Sequence, residues 1–127
     1  MDATEWQFYR ARTIARTLIE GTTAEQYAHL RDYCAKLLRS NPGLTVLIKC
    51  TMDGPNSKPC FERIYICLAA LKEGWIGGCR WIISLDGCFI KGTLNGQLLT
   101  AVGVDPNNQT FPVAYAVVEA ECRSSWL

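Results

Sequence analysis

Histidine and paired cysteines, the usual protein ligands of zinc, are scarce in this sequence. Its 127 residues contain one histidine, His29, and seven cysteines, and no two of these form a Cys-x-x-Cys pair. A structural zinc site needs four closely spaced ligands of these types, so the pattern argues against a zinc module. The odd number of cysteines and the acidic Asp2 and Glu5 near the start instead predict free thiols, mostly buried, in a reducing compartment without a secretory signal.

Long apolar runs and a strong net charge are missing as well. No run approaches the roughly 18 residues that a membrane-spanning helix needs, so we expect a protein of the cytosol or nucleus with no membrane partner. The formal net charge is +1, and residues 79–127 hold three Lys/Arg against four Asp/Glu. This C-terminal segment therefore has no basic surface that would hold a phosphate backbone by itself.

The first forty residues are patterned as two helices. Residues 4–20 place apolar side chains at helical spacing, and Gly21 ends the pattern. Thr22 and Glu25 then form a capping box for a second helix that runs to Asn41. The pattern predicts an αα-hairpin, with the arginines of the first helix on a solvated face rather than on a nucleic-acid surface.

Two strands and a helix are predicted next. Residues 44–51 and 61–65 are rich in β-branched and aromatic side chains and enclose a loop of turn-forming residues. From Ile64 to Trp75 the apolar residues change to helical spacing. The glycine pair 77–78 ends this helix and marks the predicted division of the chain.

Residues 1–78 are thus expected to form a helical and β region, and residues 79–127 a second domain. Apolar segments separated by turn residues predict that this domain is a three-stranded antiparallel meander, with strands at residues 80–91, 97–104 and 111–119. A short helix follows, with Ser124 or Ser125 as its cap. The predicted fold class is α/β of the α+β kind.

Asp86 is the least expected residue of the first meander strand. It follows the apolar run 81–85 and precedes Gly87. Apolar residues on both faces predict a central strand that is covered on both sides and has one edge open to a further strand. A carboxylate in such a strand is paired, protonated or bound to a metal. The alternative is that Asp86 caps a bend at Gly87 through backbone N–H groups.

Several segments of the sequence resemble the Mutator-like (MULE) transposases of plants, whose catalytic domain has a ribonuclease H-like fold. The similar segments of the meander are residues 78–80, 85–92, 96–99, 101–105, 111–119 and 125–126. Residues 26–33, 40–43 and 63–67 resemble the part of the family that precedes this domain. The segments occur in the family's order and cover nearly the whole chain.

The resemblance implies that residues 79–127 form the first half of a ribonuclease H-like fold. It also implies that Asp86 is the first residue of an Asp-Asp-Glu triad. In that family three carboxylates hold two divalent cations, normally Mg²⁺ (or Mn²⁺), for phosphoryl transfer on DNA. Asp86 is thus the expected catalytic and metal-binding residue, DNA the expected partner, and the nucleus the expected location, with the cytoplasm as the alternative.

The same resemblance places the other two triad residues beyond Leu127. We expect Asp105 to cap a turn, and Glu119 and Glu121 to lie at the end of the third strand and the start of a helix, so that none of them supplies a missing ligand. The expectation is a truncated transposase fragment that binds the metal weakly and is not catalytic alone. One alternative is a domesticated binding or assembly module that pairs through its open sheet edge with itself, with full-length transposase or with another protein. Another is an enzyme that a second chain completes.

Overall fold

The computed structural model describes residues 4–52, 54–55, 57–91 and 95–127. The chain divides between Tyr33 and Cys34 into two compact units. The sequence predicted that the transposase-like domain begins at residue 79. This boundary stays a prediction, because the division after Tyr33 separates compact units rather than family domains. None of the helices within the described ranges combines the length and the apolar character that crossing a bilayer requires.

The first unit begins with two capped helices, α1 (Glu5–Glu20) and α2 (Thr23–Ala28). Gly21, with a φ of 77°, ends α1 as predicted. The Thr22 hydroxyl accepts a hydrogen bond from the Glu25 N–H at 3.2 Å, and the Glu25 carboxylate accepts one from the Thr22 N–H at 2.6 Å. The predicted capping box is therefore confirmed, and its hydrogen bond from the Thr22 N–H lowers the pKa of Glu25.

The prediction of one continuous second helix as far as Asn41 is wrong. The chain leaves helical geometry at His29, and a separate helix, α3, spans Leu30–Ser40. The His29 N–H donates to the Gln26 carbonyl, three residues back, at 3.2 Å. This tightened last turn interrupts the α-helical register, which an apolar stripe alone does not reveal.

The sheet starts with the predicted hairpin of β1 (Thr45–Thr51) and β2 (Cys60–Cys67). The prediction of a helix from Ile64 is wrong, because β2 continues past this residue and α4 spans Ala69–Gly78. Ile64 and Ile66 are only 6% and 4% exposed, since both side chains point to the same face of a strand. Strand pairing therefore overrides the helical spacing of the apolar residues.

The predicted three-stranded meander is confirmed. Its strands are β3 (Ile83–Ile90), β4 (Gly96–Val104) and β5 (Thr110–Val118), paired antiparallel in that order. Residues 92–94 of the first predicted turn lie outside the described residues. The second turn is present at residues 105–109 and is described with the site below.

A one-turn helix, α5 (Arg123–Trp126), follows the meander. Its N-cap is Cys122 rather than the predicted Ser124 or Ser125. The Ser125 hydroxyl does take part, because it accepts a hydrogen bond from the Cys122 N–H at 2.9 Å. Burial of most cysteines was also a wrong prediction, since only Cys34 and Cys67 are buried among the seven free thiols.

The hairpin and the meander join in one five-stranded sheet of order β1-β2-β5-β4-β3. β2 and β5 pair antiparallel from Ile64↔Val117 to Ile66↔Tyr115, which the sequence did not predict. The buried apolar residues are Cys34, Leu44, Ile64, Ile66, Cys67, Leu99, Val113, Ala114 and Val118. The mixed α+β class is confirmed.

β3 lies at the edge of this sheet. The prediction that it is a central strand covered on both sides is wrong, because every β3 residue except Gly87 is exposed. Leu85 and Phe89, for example, are 60% and 81% exposed. The apolar run that indicated burial therefore lies on an open strand, whose outward backbone groups have no partner strand among the described residues.

Candidate functional site

Asp86 belongs to a row of side chains that crosses three neighbouring strands. The register pairs Asp86 with Thr100 on β4, and Thr100 with Tyr115 on β5. Directly paired residues of antiparallel strands point to the same face of the sheet. Asp86, Thr100 and Tyr115 therefore share one face, and we call them the Asp86 row.

The backbone behind the Asp86 carboxylate is held by its neighbour in the row. The Thr100 hydroxyl donates a hydrogen bond to the Asp86 backbone carbonyl at 3.3 Å. β3 and β4 pair continuously from Ile83↔Gly103 to Ile90↔Gly96, so the bend predicted at Gly87 does not disturb the ladder. The Asp86 side chain thus extends from a regular stretch of sheet.

Asp86 is exposed to solvent rather than buried. The ion pairs formed within the described ranges do not include it. A carboxylate oxygen is the kind of ligand that Mg²⁺ and Mn²⁺ prefer. Asp86 therefore fits the role of one cation ligand by its chemistry and its accessibility.

Neighbouring segments cover the opposite face of the same strands. A Cβ atom on Gly103 would stand 2.5 Å from Cδ1 of Trp75, which lies on α4. A Cβ atom on Gly87 would stand 2.7 Å from Oε2 of Glu121, just before α5. Both glycines face away from Asp86, because each is an odd number of residues from it along the ladder. The Asp86 row is thus on the opposite face of the sheet from Trp75 and Glu121.

Asp105 caps the second meander turn, as predicted. Its Oδ1 accepts hydrogen bonds from the N–H groups of Asn107 at 2.8 Å and Gln109 at 2.7 Å. Asn108 adopts a left-handed φ of 63° inside this turn, a conformation that asparagine tolerates better than most residues. The Asp105 carboxylate is therefore engaged in holding the turn.

Glu119 directly follows the last residue of β5, as predicted, and its carboxylate is bound to Arg63. The two side chains form an ion pair, and the same guanidinium also pairs with Glu62. A hydrogen bond from the Glu119 backbone N–H and, after it, the Arg63 guanidinium lower the pKa of the Glu119 carboxyl. This acid stabilises the link between β2 and the segment after β5.

Glu121 lies across the sheet from Asp86. Its Oε2 is the atom next to Gly87 on the opposite face, and its Oε1 accepts a hydrogen bond from the Trp126 indole N–H at 3.3 Å. Asp105 and Glu119 are thus engaged by other groups, and Glu121 lies on the opposite face from Asp86; that none of the three is a ligand stays a prediction. Throughout the part of the chain that the structure describes, no three His, Cys, Asp or Glu side chains come together in a metal-binding group.

Two members of the row, Thr100 and Tyr115, were not identified from the sequence. The signal that would have found them is the strand register, which fixes the side chains that stand beside Asp86. The sequence predicted a turn at residues 92–96, with Asn95-Gly96 as its hairpin signal. That prediction does not by itself fix which residues of β3 and β4 are paired.

The molecule is thus an α+β protein with an exposed carboxylate on the edge strand of an antiparallel sheet. Residues 82–127, which contain β3, β4, β5 and α5, match the family model of the MULE transposase domain. The resemblance to MULE transposases is therefore confirmed for this segment, which is transposase-related and includes Asp86. No curated protein and no solved structure matches the chain.

Proposed function

We propose that Asp86 is the first metal-binding aspartate of a MULE-type transposase site with a ribonuclease H-like architecture. The observation that carries the proposal is the position of Asp86 inside the matched segment 82–127, where it is exposed on the edge strand β3. In the family the domain implies interaction with DNA, and DNA is the substrate that we assign. We also expect the protein in the nucleus rather than the cytoplasm, which imaging of a tagged chain would check.

Mg²⁺ or Mn²⁺ is the cation that this chemistry requires. When bound, such ions activate the attacking oxygen and stabilise the leaving oxygen of an in-line phosphoryl transfer. Asp86 would supply one carboxylate to the ion, and Thr100 would hold the strand behind that carboxylate. Because one carboxylate leaves most of the coordination to water and phosphate, we expect the ion to bind weakly.

We further infer that the 127-residue chain does not cleave DNA by itself. This inference is supported by the other acidic residues of the matched segment, each of which is already engaged in the structure. Asp105 caps a turn, Glu119 pairs with Arg63, and Glu121 lies on the opposite face. The three carboxylates of the family's reaction are therefore not assembled by these residues.

Two measurements test the proposal. Mn²⁺ is paramagnetic, so NMR signals near Asp86 should broaden when it is added, and Asp86→Asn should remove the broadening. Asp105→Asn is the matched control, because it makes the same substitution at a carboxylate that holds a turn, and it should retain the broadening. A nicking assay with Mg²⁺ or Mn²⁺ should give no product with either wild type or Asp86→Asn; cleavage that depends on Asp86 would contradict the inferred inactivity.

A second candidate function is an assembly module that pairs through β3. The observation that favours it is the open edge of β3, which carries one charged residue, Asp86, and the exposed apolar side chains of Leu85 and Phe89. Such edges pair readily with further strands. Size-exclusion chromatography at several concentrations should then show association that Leu85→Lys abolishes, and a strictly monomeric wild type would exclude self-pairing.

A further inference from the structure

We propose that α1 is the interface of an antiparallel homodimer, in which the N-terminal half of this helix packs against the C-terminal half of the same helix in a second copy of the chain. The surface lies entirely within the first compact unit. It involves neither Asp86 nor the edge of β3, so this inference is independent of both candidate functions described above.

An exposed apolar stripe follows α1. Phe8, Ala11, Ala15 and Leu18 succeed one another at spacings of three and four residues, which places them on one face of the helix. We call these four residues the α1 stripe. No residue of α1 is buried, and Phe8 and Leu18 at the two ends of the stripe are 65% and 81% exposed. An apolar surface of this kind indicates contact with another molecule.

The α1 stripe is complementary to itself when the second helix runs in the opposite direction. Phe8 of one copy then meets Leu18 of the other, and Ala11 meets Ala15. The two alanines let the helices approach closely at the centre, and the larger side chains fill the space at both ends. Because the same surface is used by both copies, the contact closes at a dimer.

A groove at the C-terminal end of the stripe provides the space for the incoming Phe8. It has a volume of about 690 Å³ and lies within the first unit. Its lining includes the apolar side chains of Leu18, Ile19, Leu30 and Tyr33 and the acidic side chains of Glu20 and Glu25. The aromatic ring of Phe8 from the second copy is expected to cover the apolar part of this lining.

The charges beside the stripe favour the antiparallel orientation. Arg12, Arg16 and Glu20 are four residues apart and form one row along the helix. The Nε of Arg16 donates a hydrogen bond to Glu20 at 3.0 Å, whereas Arg12 takes part in none of the ion pairs formed within the described residues. In the reversed helix, Arg12 of one copy approaches the Glu20 end of the other. Antiparallel helix dipoles add to this attraction.

Arg10 and Leu85 provide matched controls. Arg10 is two residues from Arg12, so it lies on a different face of α1, where its guanidinium stands 5.4 Å from the centre of the Trp6 ring. Leu85 is an exposed leucine on β3. Arg10→Glu therefore repeats the charge change of Arg12→Glu away from the stripe, and Leu85→Lys repeats Leu18→Lys on the sheet edge.

The first experiment compares the wild-type 127-residue chain with Leu18→Lys and Leu85→Lys by analytical ultracentrifugation at several concentrations. We expect the wild type to dimerise, Leu18→Lys to remain monomeric and Leu85→Lys to retain the dimer. Circular dichroism accompanies each measurement. Because Leu18 is exposed and lysine is a good helix former, Leu18→Lys should keep the helical signal of the wild type.

The second experiment tests the orientation through the charged row. We expect Arg12→Glu to weaken dimerisation on the order of tenfold, because twofold symmetry removes the same surface pair twice. Arg10→Glu should leave the dimer unchanged. Combining Arg12→Glu with Glu20→Lys should restore the affinity, since the row is then complementary to its reversed copy with the signs exchanged.

The outcomes separate this dimer from the other proposals. A wild type that is monomeric at every concentration would overturn the α1 dimer, and the Mn²⁺ measurement would still decide the role of Asp86. Dimerisation that is lost in Leu85→Lys but kept in Leu18→Lys would overturn it in favour of the β3 edge. An equal loss in both lysine variants would also overturn it, as a general effect of added charge. Failure of Glu20→Lys to restore the Arg12→Glu variant would overturn the antiparallel orientation.

Discussion

The guanidinium of Arg63 on β2 donates a hydrogen bond to the backbone carbonyl of Ser124 at 2.8 Å and forms an ion pair with Glu119. One side chain thus holds the segment after β5 against a strand that is far away in sequence. The Arg63 side chain is 22% exposed, so water screens its bonds less than those of a surface pair.

Replacing this arginine should loosen the end of the chain. We expect Arg63→Met to lower the free energy of unfolding by about 1–3 kcal/mol, because a half-buried charged donor is lost and Glu119 is left without its cation. Lys49→Met is the control, since Lys49 pairs with Glu62 but is 60% exposed and should cost less than about 1 kcal/mol. Urea unfolding measures both, and equal losses would contradict a special role for Arg63.

Glu119 should make the fold sensitive to acid. Its pKa is lowered from the ordinary value of 4.5, first by its own backbone N–H and then by Arg63. A carboxyl with a lowered folded-state pKa stabilises the protein above its unfolded-state pKa, and this stabilisation disappears as the pH falls through the folded-state value. Arg63→Met should raise the Glu119 pKa only part of the way back to its ordinary value, because the backbone hydrogen bond remains. An NMR titration of Glu119 in the variant and the wild type would measure this rise. An unchanged Glu119 pKa would contradict the prediction.

Gly103 should tolerate no side chain. Gly103→Ala would place a Cβ atom 2.5 Å from the Trp75 indole, which forces α4 to shift and should cost about 1–3 kcal/mol. Gly77→Ala, in α4 with no atom within 4 Å of the added Cβ, should instead be neutral or stabilising by up to about 1 kcal/mol, because alanine favours the helix. Thermal unfolding compares the two, and equal stabilities would refute the close approach of Trp75 to β4.

Asp105 should matter for the turn and not for the cation. Asp105→Ala removes the acceptor of two backbone hydrogen bonds and should lower the free energy of unfolding by about 1–2 kcal/mol. Mn²⁺ broadening near Asp86 should persist in this variant. Loss of the broadening in a folded Asp105→Ala protein would identify Asp105 as a ligand after all.

The meander was predictable because three apolar segments are separated by turn residues with a clear chemistry. Asp105 illustrates this, since its acceptor oxygen caps the turn where the sequence indicated one. The capping box at Thr22 and Glu25 was predictable for the same reason. Both are local arrangements, in which a few neighbouring residues determine the outcome.

The environment of Asp86 was not predictable from local sequence. Apolar neighbours such as Leu85 indicated burial, but exposure depends on where β3 lies in the strand order. Likewise, the identity of Thr100 as the neighbour of Asp86 depends on the register between β3 and β4. Both properties arise from pairing between strands, which composition and periodicity do not specify.

The pairing of β2 with β5 has a kinetic consequence. The β1–β2 hairpin and the β3–β4–β5 meander close between neighbouring segments, whereas Ile66 and Tyr115 meet only after a long intervening loop has closed. Loop closure of this kind costs chain entropy before its contacts form, and such non-local pairing slows folding. We expect the β1–β2 hairpin and the β3–β4–β5 meander to form early, and their docking through Ile64 and Ile66 to be the rate-limiting step of folding. Truncating either isoleucine should therefore slow refolding more than truncating Leu85 on the exposed edge strand.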